Sequence, residues 1–210
     1  METKKQVHNL IILDESGSMS SIKTLVIQGF NEIVQTMKGI EKKFPGQEHL
    51  ISLVSFNSLG RKILHDCEPL SAISELDAKA YRPDSCTPLY DAIGFSIGHL
   101  QSQIAKVKEH HVLVTILTDG HENDSKEYTG AAIKKMIEDY TSQGWTFTYI
   151  GTDHAVEQAA SNISIMNVMN FEKNQLGVHH MFVKESKARF EYSSKISRNE
   201  NVQDGFYEDE

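Results

Sequence analysis

Short apolar runs alternate along the chain with longer stretches of helical periodicity. Residues 7–13, 50–56 and 111–117 are almost entirely apolar, a pattern typical of strands buried in a parallel sheet. Apolar residues in 21–39 and 88–104 instead recur at spacings of three and four, which indicates amphipathic helices. Strands and helices that alternate in this way predict βαβ units.

The remaining segments extend the same alternation. Residues 57–60 form a tight link, so 61–65 is expected to return as an antiparallel strand. A helix, a strand, a short helix, a strand and a terminal helix are predicted, in that order, at 128–140, 145–150, 155–160, 164–170 and 175–192. We therefore expect an α/β fold with a doubly wound, mainly parallel sheet, one antiparallel edge strand and helices on both faces.

Length and composition indicate one domain. The chain has 210 residues, 39% of them hydrophobic and 24% charged, which suits a single globular domain with its own core. We expect this domain to span residues 1–196. Residues 197–210 are polar and acidic and are expected to form a flexible tail.

Charge and cysteine content limit the classes of partner. A formal net charge of −8 argues against nucleic acid, because phosphate binding needs clustered Lys and Arg. No apolar run approaches the roughly 20 residues of a membrane span, and no secretory signal precedes the first strand. Two cysteines, Cys67 and Cys86, favour a reducing compartment, so a cytoplasmic protein is expected. Two buried free thiols are favoured over a bridge between them.

Oxygen-bearing side chains follow two of the predicted strands. The first strand ends in Asp14, and Ser16, Gly17 and Ser18 come directly after it. The strand at 111–117 is followed by Thr118, Asp119 and Gly120. Ligands of open α/β sheets bind beyond the carboxyl ends of the strands, where strand order reverses. Gly17 is expected to permit a tight turn there because it has no Cβ.

A third segment lies between these two. Thr87 precedes Pro88, which suggests a helix start with the threonine at the N-cap and the proline at the first helical position. Asp91 lies one turn later, where it either hydrogen-bonds within the site or complements the helix N-terminus.

The order and spacing of these three segments resemble the metal-ion-dependent adhesion site of von Willebrand factor A domains. The resemblance covers about 7–192 and implies that Ser16, Ser18 and Thr87 are hydroxyl ligands. It implies that Asp14 and Asp119 complete the site directly or through water, with Gly120 beside them. One departure is the pair Ser85-Cys86, where many members have two glycines.

The chemistry of such a site suggests binding and not catalysis. Mg²⁺ prefers hard oxygen ligands in octahedral geometry, and Mn²⁺ or Ca²⁺ also fits an oxygen site. Two aspartates only balance the charge of the ion, so an open coordination position would attract an aspartate or glutamate of a partner protein. We expect a metal-dependent protein-binding module without enzymatic activity. In the simpler alternative, Ser16 or Ser18 merely caps the following helix.

Other polar residues are assigned smaller roles. Glu15 and Glu122 flank the site and are expected to be solvated loop charges, whereas Asp84 and Asn57 are candidates for a supporting role. The adjacent histidines at 110–111 and 179–180 are poor chelators, because neighbouring side chains diverge.

Two further hypotheses remain open. A Mg²⁺-dependent phosphatase of the haloacid dehalogenase type also places an aspartate after its first strand, but its second aspartate would fall on Ser16. Self-association is the other hypothesis, in which the acidic residues 207–210 of one copy fill the open metal position of another.

Overall fold

A computed structural model describes residues 4–107, 109–152 and 156–207. Its elements, in chain order, are β1 (Lys5–Asp14), a 3₁₀ helix (Gly17–Ile22), α1 (Lys23–Lys43), β2 (Gln47–Asn57), β3 (Gly60–Pro69), α2 (Leu89–Ile104), β4 (His110–Leu117), α3 (Gly130–Thr141), β5 (Thr146–Gly151), α4 (Val156–Asn162), β6 (Asn167–Asn170) and α5 (Gln175–Arg198). Every predicted strand and helix has a counterpart, with boundaries shifted by a few residues. Ala155, the first residue of the short helix predicted at 155–160, lies outside the described residues.

The strands form one six-stranded sheet in the order β3-β2-β1-β4-β5-β6. All neighbouring strands are parallel except β2 and β3, which pair antiparallel at one edge. The predicted fold class is thus confirmed. Strand order reverses between β1 and β4, and Leu13 of β1 lies opposite Leu117 of β4. The crevice beyond these two carboxyl ends is where open α/β sheets bind ligands.

Helices cover both faces of the sheet. Along β1, Val7, Ile11 and Leu13 pack towards α1 and α5, while Leu10 and Ile12 pack towards α2, α3 and α4. This alternation follows from the two-residue period of a strand. Three aromatic side chains at alternating positions are buried against the second group of helices: Trp145, Phe147 and Tyr149.

The C-terminal segment contradicts the expected flexible tail. Helix α5 continues to Arg198, past the predicted boundary at residue 196, and ends where Asn199 adopts a left-handed conformation (φ 56°). The chain then turns back, and three apolar side chains pack into the core: Val202, Phe206 and Tyr207. Apolar residues in an otherwise polar stretch explain why residues 199–207 are held in place. Residues 208–210 lie outside the described part of the chain.

A buried polar network fastens α5 to the sheet. Arg189 donates hydrogen bonds to Glu185 (2.9 Å), Asn9 of β1 (2.9 Å) and Thr115 of β4 (2.7 Å). The Tyr207 hydroxyl donates to the second Glu185 oxygen at 2.6 Å. Each charged group in this network therefore has a partner, as burial of charge requires.

The two cysteines are free thiols. Cys67 is partly buried and Cys86 is exposed, so the prediction that both are buried is wrong for Cys86. Cys86 lies in the irregular stretch that leads into α2, and its side chain is exposed there. Among the described residues, no helix is long and apolar enough to cross a membrane.

His8 provides a pH-dependent contribution to stability. It is buried in β1, and neither ring nitrogen has a hydrogen-bond partner within the described structure. Burial, and to a smaller extent His110, lowers the pKa of His8 from 6.5 to about 4, while Glu48 opposes the shift. Between these two pH values the unfolded chain binds a proton that the folded state excludes. The contribution of His8 is therefore complete above pH 6.5 and is lost as the pH falls.

Replacing His8 with phenylalanine should flatten this pH dependence. Between pH 6.5 and pH 5, the His8→Phe variant is expected to lose about 1–2 kcal/mol less stability than the wild type. Urea denaturation at both pH values measures this difference. A His179→Gln variant, changed at an exposed histidine of α5, should follow the wild type. An equal loss of unfolding free energy between the two pH values in His8→Phe and in the wild type would contradict the prediction. His49, whose pKa is lowered to about 4 by burial and by Arg189, contributes to the slope that remains, and so does His111, whose pKa burial also lowers.

Candidate metal site

Asp14 is held at the carboxyl end of β1 by three donors. The Ser16 amide donates to Asp14 Oδ1 (2.7 Å), and the Thr118 hydroxyl donates to Oδ2 (2.6 Å). The buried Tyr81 hydroxyl donates to the Asp14 carbonyl at 2.7 Å. Because Thr118 follows β4, the parallel pairing of β1 and β4 brings these two residues side by side. The carboxylate is thereby fixed in one orientation.

Ser16, Ser18 and Asp119 form a chain of hydrogen bonds across the crevice. The two serine Oγ atoms lie 3.1 Å apart, and Ser18 Oγ donates to Asp119 Oδ1 at 2.5 Å. Ser16 occupies the N-cap position of the 3₁₀ helix, but its side chain makes no capping bond. The simpler alternative, in which these serines only cap the next helix, therefore does not describe them.

Thr87 approaches the same crevice from the start of α2. The helix begins at Leu89 with Pro88 at the N-cap, so the predicted N-cap position for Thr87 is wrong by one residue. The Asn123 side chain accepts from the Thr87 amide (2.8 Å), and the Asn123 amide donates to the Thr87 carbonyl (3.2 Å). Asn123 thus positions the threonine from the loop that follows β4. This role of Asn123 was not predicted from the sequence.

Three of the predicted ligands converge on one point beside Gly120. A Cβ atom placed on Gly120 would lie 3.1 Å from Thr87 Oγ1, 3.7 Å from Ser18 Oγ and 3.8 Å from Asp14 Oδ2. Oxygens from two separate segments, 14–18 and the threonine before α2, therefore face the position of Gly120 in the third segment. Any side chain at Gly120 would enter that space.

Gly17 has a different role from the one predicted. Its backbone is not in the left-handed region, so the turn there does not require glycine. Its amide donates to the Ser85 carbonyl at 3.0 Å, and an added Cβ would lie 3.4 Å from that oxygen. This backbone hydrogen bond joins the segment after β1 to the loop around Ser85, where an added Cβ would make an ordinary van der Waals contact. This is the loop where many family members have a glycine pair.

Glu15 is a buried structural residue, not a solvated loop charge. It is only 1% exposed and accepts hydrogen bonds from Ser55 (2.7 Å), Lys62 (2.7 Å) and the Arg82 amide. Its carbonyl accepts from the Asn57 side chain and from the amide of Asp84, the two residues considered for a supporting role. Those residues fix the backbone between Asp14 and Ser16. The charge of Glu15 points away from the predicted ligands.

Glu122 and Asp91 organise the loop after β4. Glu122 accepts from the amides of Tyr90 and Ser125, so the expectation of a solvated charge is also wrong here. Asp91 accepts from three consecutive backbone amides at 2.8–2.9 Å, those of residues 126–128. Its contacts are with this loop and not with the predicted metal ligands. Asp91 acts on the site only through the loop that carries Asn123.

A lysine that the sequence did not indicate lies at the site. Lys173, in the connection between β6 and α5, places its ammonium nitrogen 2.5 Å from Asp119 Oδ2 and 3.1 Å from the Ser18 carbonyl. The Asp119 contact lacks the alignment of a hydrogen bond and is best described as an ion pair. The Asp119 side chain is fully buried, and Lys173 is 33% exposed. More than 150 residues separate Lys173 from Ser18, so sequence spacing offered no clue.

The donor set fits a hard divalent cation. All five predicted ligands offer oxygen, and two carboxylates supply the negative charge. Burial raises the pKa of Asp14 to about 6; hydrogen bonds from Thr118 and Ser16 lower it, and the charge of Asp119 raises it. A cation between the two carboxylates would offset the repulsion between their negative charges. Within the described chain, no group of three His, Cys, Asp or Glu residues could hold a metal, so the candidate site depends on its hydroxyl groups.

Comparison with known proteins places the chain in a family. The sequence profile of the von Willebrand factor type A domain matches residues 10–187, which is most of the chain and includes the positions of the five predicted ligands. The chain belongs to this family. No curated protein matched the sequence of this von Willebrand factor A domain.

Solved structures with the same fold include several pilus proteins at low sequence identity. They are the PilB minor pilin from Streptococcus sanguinis (12% identity, TM-score 0.65, 90% of this chain and 62% of that chain), the pilus adhesin SpaC from Lactobacillus rhamnosus GG (13%, 0.64, 90% and 30%) and the vWF domain of the type V pili tip protein Mfa5 from Porphyromonas gingivalis (12%, 0.56, 97% and 98%). Identity this low shows a shared fold alone.

The family indicates a protein-interaction module. Domains of this type are typically non-enzymatic, which agrees in general terms with the expected function. None of these matches supports the alternative of a haloacid dehalogenase phosphatase. The chain spans 62% of PilB and 30% of SpaC, so the activities of those whole proteins do not transfer to it.

Proposed function

We propose that this domain binds a partner protein through a divalent cation, with an acidic side chain of the partner completing the metal coordination. Asp14, Ser16, Ser18, Thr87 and Asp119 would hold Mg²⁺, or Mn²⁺ or Ca²⁺ in its place. The convergence of Thr87, Ser18 and Asp14 oxygens on the space beside Gly120 supports this proposal most directly. The bound ion would act as a Lewis acid that attracts a carboxylate.

The charge of the site favours an acidic partner group. Two aspartates supply only two negative charges, which a divalent ion neutralises, so the ion keeps its attraction for a further anion. A carboxylate would therefore approach a centre with no net negative charge, although the protein as a whole carries −8.

A substitution at Gly120 tests the metal part of the proposal. A methyl group there would lie 3.1 Å from Thr87 Oγ1, so Gly120→Ala is expected to weaken Mn²⁺ binding by roughly tenfold or more. Water-proton relaxation during a Mn²⁺ titration measures the affinity. Gly39→Ala, where an added Cβ meets nothing within 4 Å, is the matched control. Equal Mn²⁺ affinity in the wild type and Gly120→Ala would contradict the proposed site.

Water-proton relaxation also tests whether the bound metal recruits a carboxylate. A short peptide with a central aspartate should displace water from bound Mn²⁺ and lower the relaxation enhancement, because its carboxylate takes a coordination position. The same peptide with asparagine should leave the enhancement unchanged. If both peptides change the relaxation enhancement equally, the proposal that the metal recruits a carboxylate is wrong, even if Mn²⁺ binding itself is observed.

Location and self-association stay open proposals. The cytoplasm remains our expectation from the cysteine content. In the self-association hypothesis, Glu208–Glu210 would have to reach another copy, and these residues lie outside the described structure. Tyr207, the first residue of that acidic end, is buried and hydrogen-bonded to Glu185.

A further inference from the structure

Lys173 joins two of the three segments that form the candidate metal site. Its ammonium group contacts Asp119, which follows β4, and the Ser18 carbonyl, which belongs to the 3₁₀ helix after β1. A divalent ion in this crevice would join the same two segments. The lysine thus supplies, from within the chain, part of the positive charge that the ion would supply.

The backbone around Lys173 is anchored on both sides. Phe171 is buried in the core, and the Asn174 side chain caps α5 by accepting from the Gly177 amide at 2.8 Å. An added Cβ on Gly177 would lie 2.4 Å from the Glu172 carbonyl, so this connection is tightly packed. The four-carbon stem of Lys173 has several rotatable bonds, and the partial exposure of the side chain gives the ammonium group a path into solvent.

We propose that Lys173 is a built-in competitor of the divalent cation. It neutralises Asp119 when no ion is bound, and its ammonium group must leave Asp119 Oδ2 when an ion enters. Two like charges cannot share one buried carboxylate without a large electrostatic cost. Lys173 therefore sets the metal affinity and restricts loading to conditions of higher metal concentration. This inference rests on the proposed function, because it assumes that the site binds a cation.

Replacing Lys173 with methionine tests the inference. The Lys173→Met variant keeps the length of the stem and removes the charge. It is expected to bind Mg²⁺ and Mn²⁺ about tenfold more tightly than the wild type, since a nearby unit charge is removed. Without metal it should melt at a lower temperature, because Asp119 loses its counter-ion. Calorimetric titration and thermal melts measure the two effects.

Controls separate this inference from the proposed function. Lys134→Met removes an exposed lysine of α3 and changes the net charge equally, and it should match the wild type. Lys173→Arg keeps the charge and should also retain weak metal binding. An NMR spectrum of the lysine ammonium groups should show the Lys173 signal change on Mg²⁺ addition. Equal or weaker binding by Lys173→Met overturns the role of Lys173 alone. Absence of Mg²⁺ and Mn²⁺ binding in both proteins overturns the metal site and this inference together.

Discussion

An Arg189→Met variant should lose about 3–5 kcal/mol of the free energy of unfolding, because it leaves the charge of Glu185 buried without its partner. Glu185 is fully buried and Arg189 is 2% exposed, at an ion-pair distance of 2.8 Å. The guanidinium also donates to Asn9 and Thr115, which belong to the two central strands. Urea denaturation at pH 7 measures the loss. The effect is large because the arginine links a surface helix to the centre of the sheet.

A double variant distinguishes the ion pair from simple packing. Glu185→Leu combined with Arg189→Met removes both charges and should recover roughly half of the lost stability, since no charge is left unpaired. Lys135→Met, which breaks an exposed ion pair with Asp139 on α3, should leave stability nearly unchanged. If the double variant is no more stable than Arg189→Met, the uncompensated charge is not the cause.

An Asp14→Asn variant should lose the stabilisation that Mg²⁺ gives to the wild type. At a hundredfold excess over Kd, a ligand of the native state raises stability by about 2.7 kcal/mol, or roughly 5–10 °C in Tm for a domain of this size. Asparagine can still bond to the Ser16 amide and the Thr118 hydroxyl, so the fold should persist. Thermal melts with Mg²⁺ and with EDTA measure the difference.

The control for this experiment changes a carboxylate away from the site. Asp139→Asn alters an exposed residue of α3 and should respond to Mg²⁺ as the wild type does. A wild-type melt that Mg²⁺ and Mn²⁺ do not shift would rule out the metal proposal. An Asp14→Asn melt that shifts as much as the wild type would show that the ion binds elsewhere.

The spacing of apolar residues along the chain was sufficient to predict the strands, the helices and the fold class. Period-two and continuous apolar runs become strands, and spacings of three and four become helices, because burial of apolar surface selects those periods. The order of the strands in the sheet was not predicted and is given by the structure. The prediction of a flexible tail was wrong because it rested on the average polarity of the segment, which does not reveal its few apolar residues. Val202 and Phe206 are enough to hold an otherwise polar segment against the core.

The candidate ligands were predictable, and their surroundings were not. Asp14 and Asp119 each end a strand, and parallel pairing of β1 with β4 makes such ends neighbours. The partners of Glu15 come from β2, β3 and the loop before α2, so its burial cannot be read from its own position. From the sequence alone, a charged residue next to a predicted site is expected to be solvated. Its burial becomes evident only when the structure shows partners from distant parts of the chain.

By itself, the sequence determined the α/β architecture, the family and the five residues proposed to hold the ion. These features depend on local periodicity and on residues directly after strand ends. Only the tertiary structure decided that Asn123 positions Thr87, that Gly120 faces the common space of the ligands, and that Lys173 pairs with Asp119. Such contacts join residues up to about 155 positions apart, and only the folded packing brings them within bonding distance.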